Sequence, residues 1–154
     1  MQLPIQVEQV YGQQDMHKSK EKYMEWLYKD KNCTQEDIKK IEEELKVTLP
    51  EEFKDLIMNN NGVYPKLNQY KFNRDEKIVQ ALLSCKETDD NNIIRIAKQI
   101  NILGLVPFMS DPFGNYICFQ FGLDDNYQIV FYDHETGLIK NISKNFNDFI
   151  NNLY

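Results

Sequence analysis

Asp133, His134 and Glu135 stand side by side, a carboxylate–imidazole–carboxylate run of residue types that could move a proton or ligate a metal. A zinc centre needs three or four convergent ligands, and the only other histidine, His17, lies far off in the chain. The plainer reading is a polar hairpin turn, with Gly137 supplying the positive φ that such turns need. Asp124-Asp125-Asn126 is likewise an acidic turn, because it lacks the alternating ligands and terminal glutamate of a calcium loop. Cys33, Cys85 and Cys118 are odd in number, widely spaced and free of any C-x-x-C pair, so they read as three reduced, packed thiols. No G-x-S-x-G, P-loop or dinucleotide fingerprint is present. These residues point away from an enzyme and call for no cofactor or metal.

The stretch from Leu103 to Ile139 offers something else. It holds five acidic residues (Asp111, Asp124, Asp125, Asp133 and Glu135) and no Lys or Arg. Each carboxylate falls in or beside a turn between strand-like apolar segments. Such a surface suits binding better than catalysis.

The chain has 154 residues, 42% of them hydrophobic and 27% charged, and reads as a single globular domain, 1–154. Its net charge is −6, which disfavours direct contact with nucleic acid or anionic lipid and favours a basic protein partner. The N-terminus has no basic region followed by an apolar run, and no window reaches the roughly 18–20 apolar residues of a membrane span. The expected location is cytoplasmic.

Residues 1–14 are polar and Gln-rich and read as an extended arm. A helix is expected over about Asp15–Lys31, with Met16, Tyr23, Trp26 and Leu27 on one face. Thr34 suits an N-cap, with Glu36 and Asp37 in the first turn of an amphipathic helix over about 35–46. Pro50 suits the first position of a second helix that buries Phe53, Leu56 and Ile57 and stops at Asn61-Gly62. Leu67–Phe72 reads as a strand. Ile78–Cys85 fits helix or strand, and its shortness favours strand. Asp89–Asn92 caps a helix with Ile93, Ile96, Ala97 and Ile100 on one face. Three strands follow in the segments 103–109, 116–122 and 128–137. Their alternation sets Ile117, Phe119 and Phe121 against Tyr116, Cys118 and Gln120. A closing helix, capped by Ser143 or Asn145, buries Phe146, Phe149, Ile150 and Leu153. The expected class is α+β: an antiparallel sheet packed with N-terminal helices and a C-terminal helix.

Three phrases sharpen this. The first runs Ile41-Glu42-Glu43-Glu44-Leu45 through Leu49-Pro50-Glu51-Glu52-Phe53 to Asn61-Gly62. The second is Leu105-Val106-Pro107-Phe108, a polar turn, then Gly114-Asn115-Tyr116-Ile117-Cys118-Phe119. The third is Ile129-Val130-Phe131-Tyr132-Asp133-His134-Glu135, a turn, then Ile142 through Phe146 to Ile150. In this order, over about residues 35–153, they resemble the SUKH superfamily, which includes fungal cell-wall-synthesis regulators and many bacterial immunity proteins. The chain departs from a common family pattern at Asp111-Pro112-Phe113-Gly114, where relatives often carry a glycine-rich turn.

The resemblance implies the α+β fold. For a bacterial member it implies an immunity protein that neutralises a cognate polymorphic toxin by occlusion, without catalysis. Such toxins are often nucleases carried at the C-terminus of a secreted protein, and a basic nuclease face would suit this acidic chain. The alternative is an intracellular regulatory scaffold of the cell-wall-synthesis kind. The family's binding residues vary with the partner, so none is carried over by motif. From the residues themselves, an up-and-down meander would bring the turn of Asp111 next to that of Asp133 and Glu135. Asp124 and Asp125 would lie at the opposite end. Phe113 and Tyr116 could anchor a partner's centre. The competing explanation is that these turns are polar only for solubility. The expected oligomeric state is a monomer or weak homodimer.

Overall fold

The computed structural model describes residues 25–27 and 32–154. Thr34 starts the first helix as its residue type predicts. Its Oγ1 accepts from the Asp37 amide at 3.1 Å, and an Asp37 carboxylate oxygen accepts from the Thr34 amide at 2.9 Å. This reciprocal box satisfies amides that a helix start leaves without partners. Helix α1 spans Gln35–Leu45, buries Ile38 and Ile41, and ends at Lys46 in the left-handed region. Glu42 Oε2 then accepts from the Leu49 amide at 2.7 Å and lies 3.4 Å from Lys54 Nζ, fastening the end of α1 to the next helix.

Helix α2 spans Glu51–Asn59. Pro50 is its N-cap rather than its first helical residue, with φ −60° and ψ 142°. Its ring suits that place too, since no intrahelical N–H is needed there. Phe53 and Ile57 are buried and Leu56 half-buried. Asn60 closes the helix, and Gly62 makes the turn beyond it at φ +66°.

The helix expected over Asp15–Lys31 needs correction where it can be seen. Trp26–Leu27 form a short strand, β1, antiparallel to β2 (Tyr64–Pro65), with Trp26 across from Pro65. Trp26 packs half-buried against the core. Met16, His17, Tyr23 and the arm over 1–14 lie outside the described residues.

Strands β3 (Gln69–Phe72) and β4 (Asp75–Ile78) form a hairpin that turns at Asn73, φ +58°. The strand favoured over Ile78–Cys85 is only partly present. Ile78 ends β4, and the rest runs along β5 through one bridge, Leu82 to Met109. The ladder stops because other partners take its amides. Ser84 N–H donates to the Asn91 carbonyl, and Cys85 N–H donates to Oδ1 of buried Asn61 at 2.8 Å.

Asn92 accepts from the Arg95 amide at 2.8 Å and caps α3, Ile93–Ile100. The main sheet follows as β5 (Leu105–Ser110), β6 (Tyr116–Phe121), β7 (Tyr127–Tyr132) and β8 (Ile139–Ser143), an antiparallel meander in sequence order. Pro107 lacks an amide hydrogen, and the β5–β6 register shifts between Pro107 and Met109. Asn145, not Ser143, caps α4 (Phe146–Asn151), accepting from the Asp148 amide at 2.8 Å. The Tyr127 hydroxyl also accepts from the Phe146 amide, pinning this helix to β7.

The inner sheet face carries Val106, Phe108, Ile117, Phe119, Ile129 and Phe131, all in the main core. Phe53 of α2 meets Phe108, Phe119 and Phe146 edge-on, at centroid separations of 5.7, 5.1 and 5.4 Å. That geometry suits ring quadrupoles. On the outer face Leu105, Cys118 and Val130 are buried beneath Tyr116, Tyr132, Ile139 and Ile100 of α3. The fold is α+β, as its sequence pattern predicts. No helix among the described residues is long and apolar enough to cross a membrane.

The thiol reading is corrected. Cys33 and Cys85 are joined as a disulfide, with Cα atoms 6.1 Å apart and a sequence separation of 52. Only Cys118 is free, and burial pushes its thiol well above its usual range. Spacing held no signal for this pairing, because α1, α2 and the β2–β4 segment lie between the two residues in the chain.

Candidate partner-binding surface

Two turns at one end of the sheet come together as meander geometry requires. In the β5–β6 turn, Asp111 Oδ1 accepts from the amides of Phe113 (2.8 Å) and Asn115 (2.9 Å), and its Oδ2 accepts from Asn115 Nδ2 (3.1 Å). Asp111 itself is buried. By accepting these three hydrogen bonds the single carboxylate holds the loop in one shape, where glycines would leave it free to take several. Gly114, at φ +89°, presses on the neighbouring turn, and a β-carbon there would sit 3.1 Å from His134 Cε1.

Asn115 bridges the two turns. Its Oδ1 accepts from the His134 amide at 3.1 Å and lies 2.7 Å from His134 Nδ1. An amide oxygen only accepts, so the ring contact places a proton on Nδ1. In the β7–β8 turn, Asp133 Oδ1 accepts from the amides of Glu135 (2.9 Å) and Thr136 (3.3 Å). The Glu135 amide is the main reason the Asp133 carboxyl is held below its usual range. Gly137 closes this turn at φ +76°, confirming the hairpin reading of Asp133–Gly137. Burial, then Cys118 and Asp111, raises the half-buried Tyr116 hydroxyl.

This rim therefore presents Phe113 (70% exposed), Leu138 (54%), His134 and Glu135 on a rigid frame. Asp111 and Asp133 build the frame. Replacing Asp111 with alanine leaves two backbone amides and a side-chain amide without their acceptor. It should lower stability by about 2 kcal/mol. Urea denaturation measures it, and an unshifted midpoint would mean the turn does not depend on the carboxylate.

The opposite end differs. The register between β5 and β6, continued by the Phe121 amide donating to the Gly104 carbonyl at 2.8 Å, carries Leu103 to the tip that holds Leu123. Leu103 is 92% exposed and Leu123 89%. Between β6 and β7 the chain turns through Leu123–Asp125, with Asp124 at φ +63° and Asp125 at φ +59°, both in the left-handed region. Both carboxylates are exposed. Sequence reasoning passed over the two leucines. The signal was there: Leu123 sits inside Gly122-Leu123-Asp124-Asp125-Asn126, a turn too short and polar to bury it.

Asp133, His134 and Glu135 do not gather as metal ligands. Among the described residues, the histidine, cysteine and carboxylate side chains whose ligand atoms converge are Cys33, Asp37 and Cys85, none of them in this turn.

The described residues form an antiparallel meander backed by helices, an α+β arrangement. Residues 32–152 match the model of the SMI1 / KNR4 family (SUKH-1), and the chain belongs to that family. No curated protein matches the chain. Membership supports a protein-interaction role of the immunity or regulator kind.

Proposed function

We infer that this is an immunity protein that binds a cognate toxin and neutralises it by occlusion, with no turnover. The observation that carries the reading is the tip formed by Leu103, Leu123, Asp124 and Asp125. Two nearly fully exposed leucines stand beside two exposed carboxylates, on loops anchored to the rigid sheet. The register of β5 and β6 sets the two leucines at one tip, where together they offer a partner an apolar contact, and a preorganised rim binds without a large ordering cost. The carboxylates add direction. In a chain of net charge −6 they favour a basic partner, such as a nuclease whose active face must hold phosphates. The rim of Phe113, Glu135, Tyr116, Asp133 and the buried Asp111 is the second contact region of this proposal. The working location is the cytoplasm, and the complex is one to one.

The first test is a pull-down of the tagged protein from its native lysate, with the captured chain identified by mass spectrometry. A single stoichiometric partner with a basic, toxic C-terminal domain supports the immunity reading. Several weak partners and no toxin would replace it with a regulatory scaffold.

Charge supplies a second test once the toxin is in hand. Asp124→Asn with Asp125→Asn should slow association about tenfold at low salt and flatten its salt dependence, with little change in dissociation. Stopped-flow association rates at two ionic strengths read this out. An unaltered rate would remove the acidic tip from the encounter surface.

A further inference from the structure

We propose that Cys33, Asp37 and Cys85 form, in the reduced protein, a binding site for a thiophilic divalent cation, with Zn²⁺ the best match to the ligand set. The two sulfurs and a carboxylate oxygen of Asp37 all lie within 4.8 Å of one another. Two separate parts of the fold, the start of α1 and the segment after β4, hold them there. Cys33 directly precedes the N-cap of α1, Asp37 is the third residue of that helix, and Cys85 sits where the edge segment leaves β5. The Cys85 amide is held by Asn61, which is itself 2% exposed. The Asp37 carboxylate is aimed by the Thr34 amide, the kind of supporting contact that orients metal ligands.

The site already hosts a positive charge. Lys86 Nζ lies 2.8 Å from Asp37 Oδ2, and Cys85 Sγ lies 4.0 Å from the same oxygen. A divalent ion among two thiolates and one carboxylate leaves a net charge of −1, which the neighbouring Lys86 ammonium balances. Two thiolates select a borderline-soft ion over calcium or magnesium. Both cysteines are buried, whereas the Asp37 side chain is 26% exposed, so a water can enter from that side as fourth ligand.

The chemistry balances. A thiol reductant of the glutathione class supplies two electrons and two protons, breaks the S–S bond and leaves two thiols, itself becoming a disulfide. Metal binding then displaces the two thiol protons to solvent. At Zn–S distances of about 2.3 Å, tetrahedral geometry separates the sulfurs by roughly 3.8 Å. With Cα atoms 6.1 Å apart, rotation of the side chains supplies that separation. The start of α1 then stays fastened to the loop after Leu83 in either redox state, by a covalent bond or by a metal. This site is separate from both rims and does not depend on the immunity reading.

The test is cobalt titration of the full chain, reduced with a phosphine and kept anaerobic. The expected result is a thiolate-to-cobalt charge-transfer band in the near ultraviolet with tetrahedral visible bands. Both should saturate at one equivalent and be lost on adding Zn²⁺. Disulfide-bonded protein should show neither. Cys33→Ser and Cys85→Ser should each remove at least half of the charge-transfer intensity. Asp37→Asn should keep that band but weaken cobalt binding about tenfold. Should the serine variants fail to fold, wild type still decides: Zn²⁺ should slow alkylation of two thiols at least tenfold. No charge-transfer band in the reduced, folded wild type, equal binding by the disulfide form, or alkylation indifferent to Zn²⁺ would each overturn the site.

Discussion

Serine at both Leu103 and Leu123 is expected to weaken the proposed toxin complex about a hundredfold while leaving the fold intact. Full burial of a leucine on association is worth about 1.5–3 kcal/mol in transfer terms. Ordering costs reduce that return, and about 2.7 kcal/mol for the pair corresponds to the hundredfold loss. Stability should hardly change, because at 92% and 89% exposure neither side chain contributes to the core. Isothermal titration with the purified toxin domain gives the affinity, and thermal unfolding checks the fold. Phe113→Ser is the comparison that makes the result specific. If Phe113→Ser weakens binding and the leucine pair does not, the interface is the Asp111–Glu135 rim instead. If neither changes the affinity, both rims are excluded.

Phe53→Ala is expected to cost about 3–5 kcal/mol, the range for truncating a fully buried aromatic ring. Phe53 has no exposed surface and is the point where α2, the sheet and α4 meet, touching Phe108, Phe119 and Phe146. Phe108 and Phe119 are stacked at 4.4 Å, so the surrounding rings already support one another and have little freedom to fill the gap. Equilibrium urea unfolding at fixed redox state gives the change. A loss below about 1 kcal/mol would show that the aromatic cluster collapses around the cavity and that this helix is not held by Phe53. The contrast with the leucine pair is the useful part. One substitution should affect folding and leave the binding tip unaltered, and the other the reverse.

The elements legible in the sequence were those with strong local signals. Thr34 with Asp37, and Asn92 before an apolar helical stripe, announced α1 and α3 because capping is chemistry within four residues. The alternation through Tyr116–Phe121 and Tyr127–Tyr132 announced two strands and the faces they show, because side chains in a strand must alternate. Once a meander is granted, the neighbouring positions of the Asp111 and Asp133 turns follow from topology alone. Strand β8 was missed because Ile139–Ser143 is a polar edge strand, whose pairing with β7 substitutes for the apolar pattern it lacks. The expected helix gave way at Trp26–Leu27 to a strand for a similar reason: helical spacing of apolar residues is a local preference, and pairing with Tyr64–Pro65 is a tertiary one.

By itself the sequence determined the α+β class, the Thr34 and Asn92 helix caps, the sheet faces and the acidic character of the turns, since each depends on residues close together in the chain. Tertiary structure alone decided three other things. It brought Cys33 and Cys85 together across a separation of 52 positions, and buried Asp111 where its carboxylate shapes its own loop. It also left Leu103 and Leu123 in water at one tip. Burial and long-range proximity belong to the whole packed chain: what a side chain faces depends on segments that local sequence does not contain.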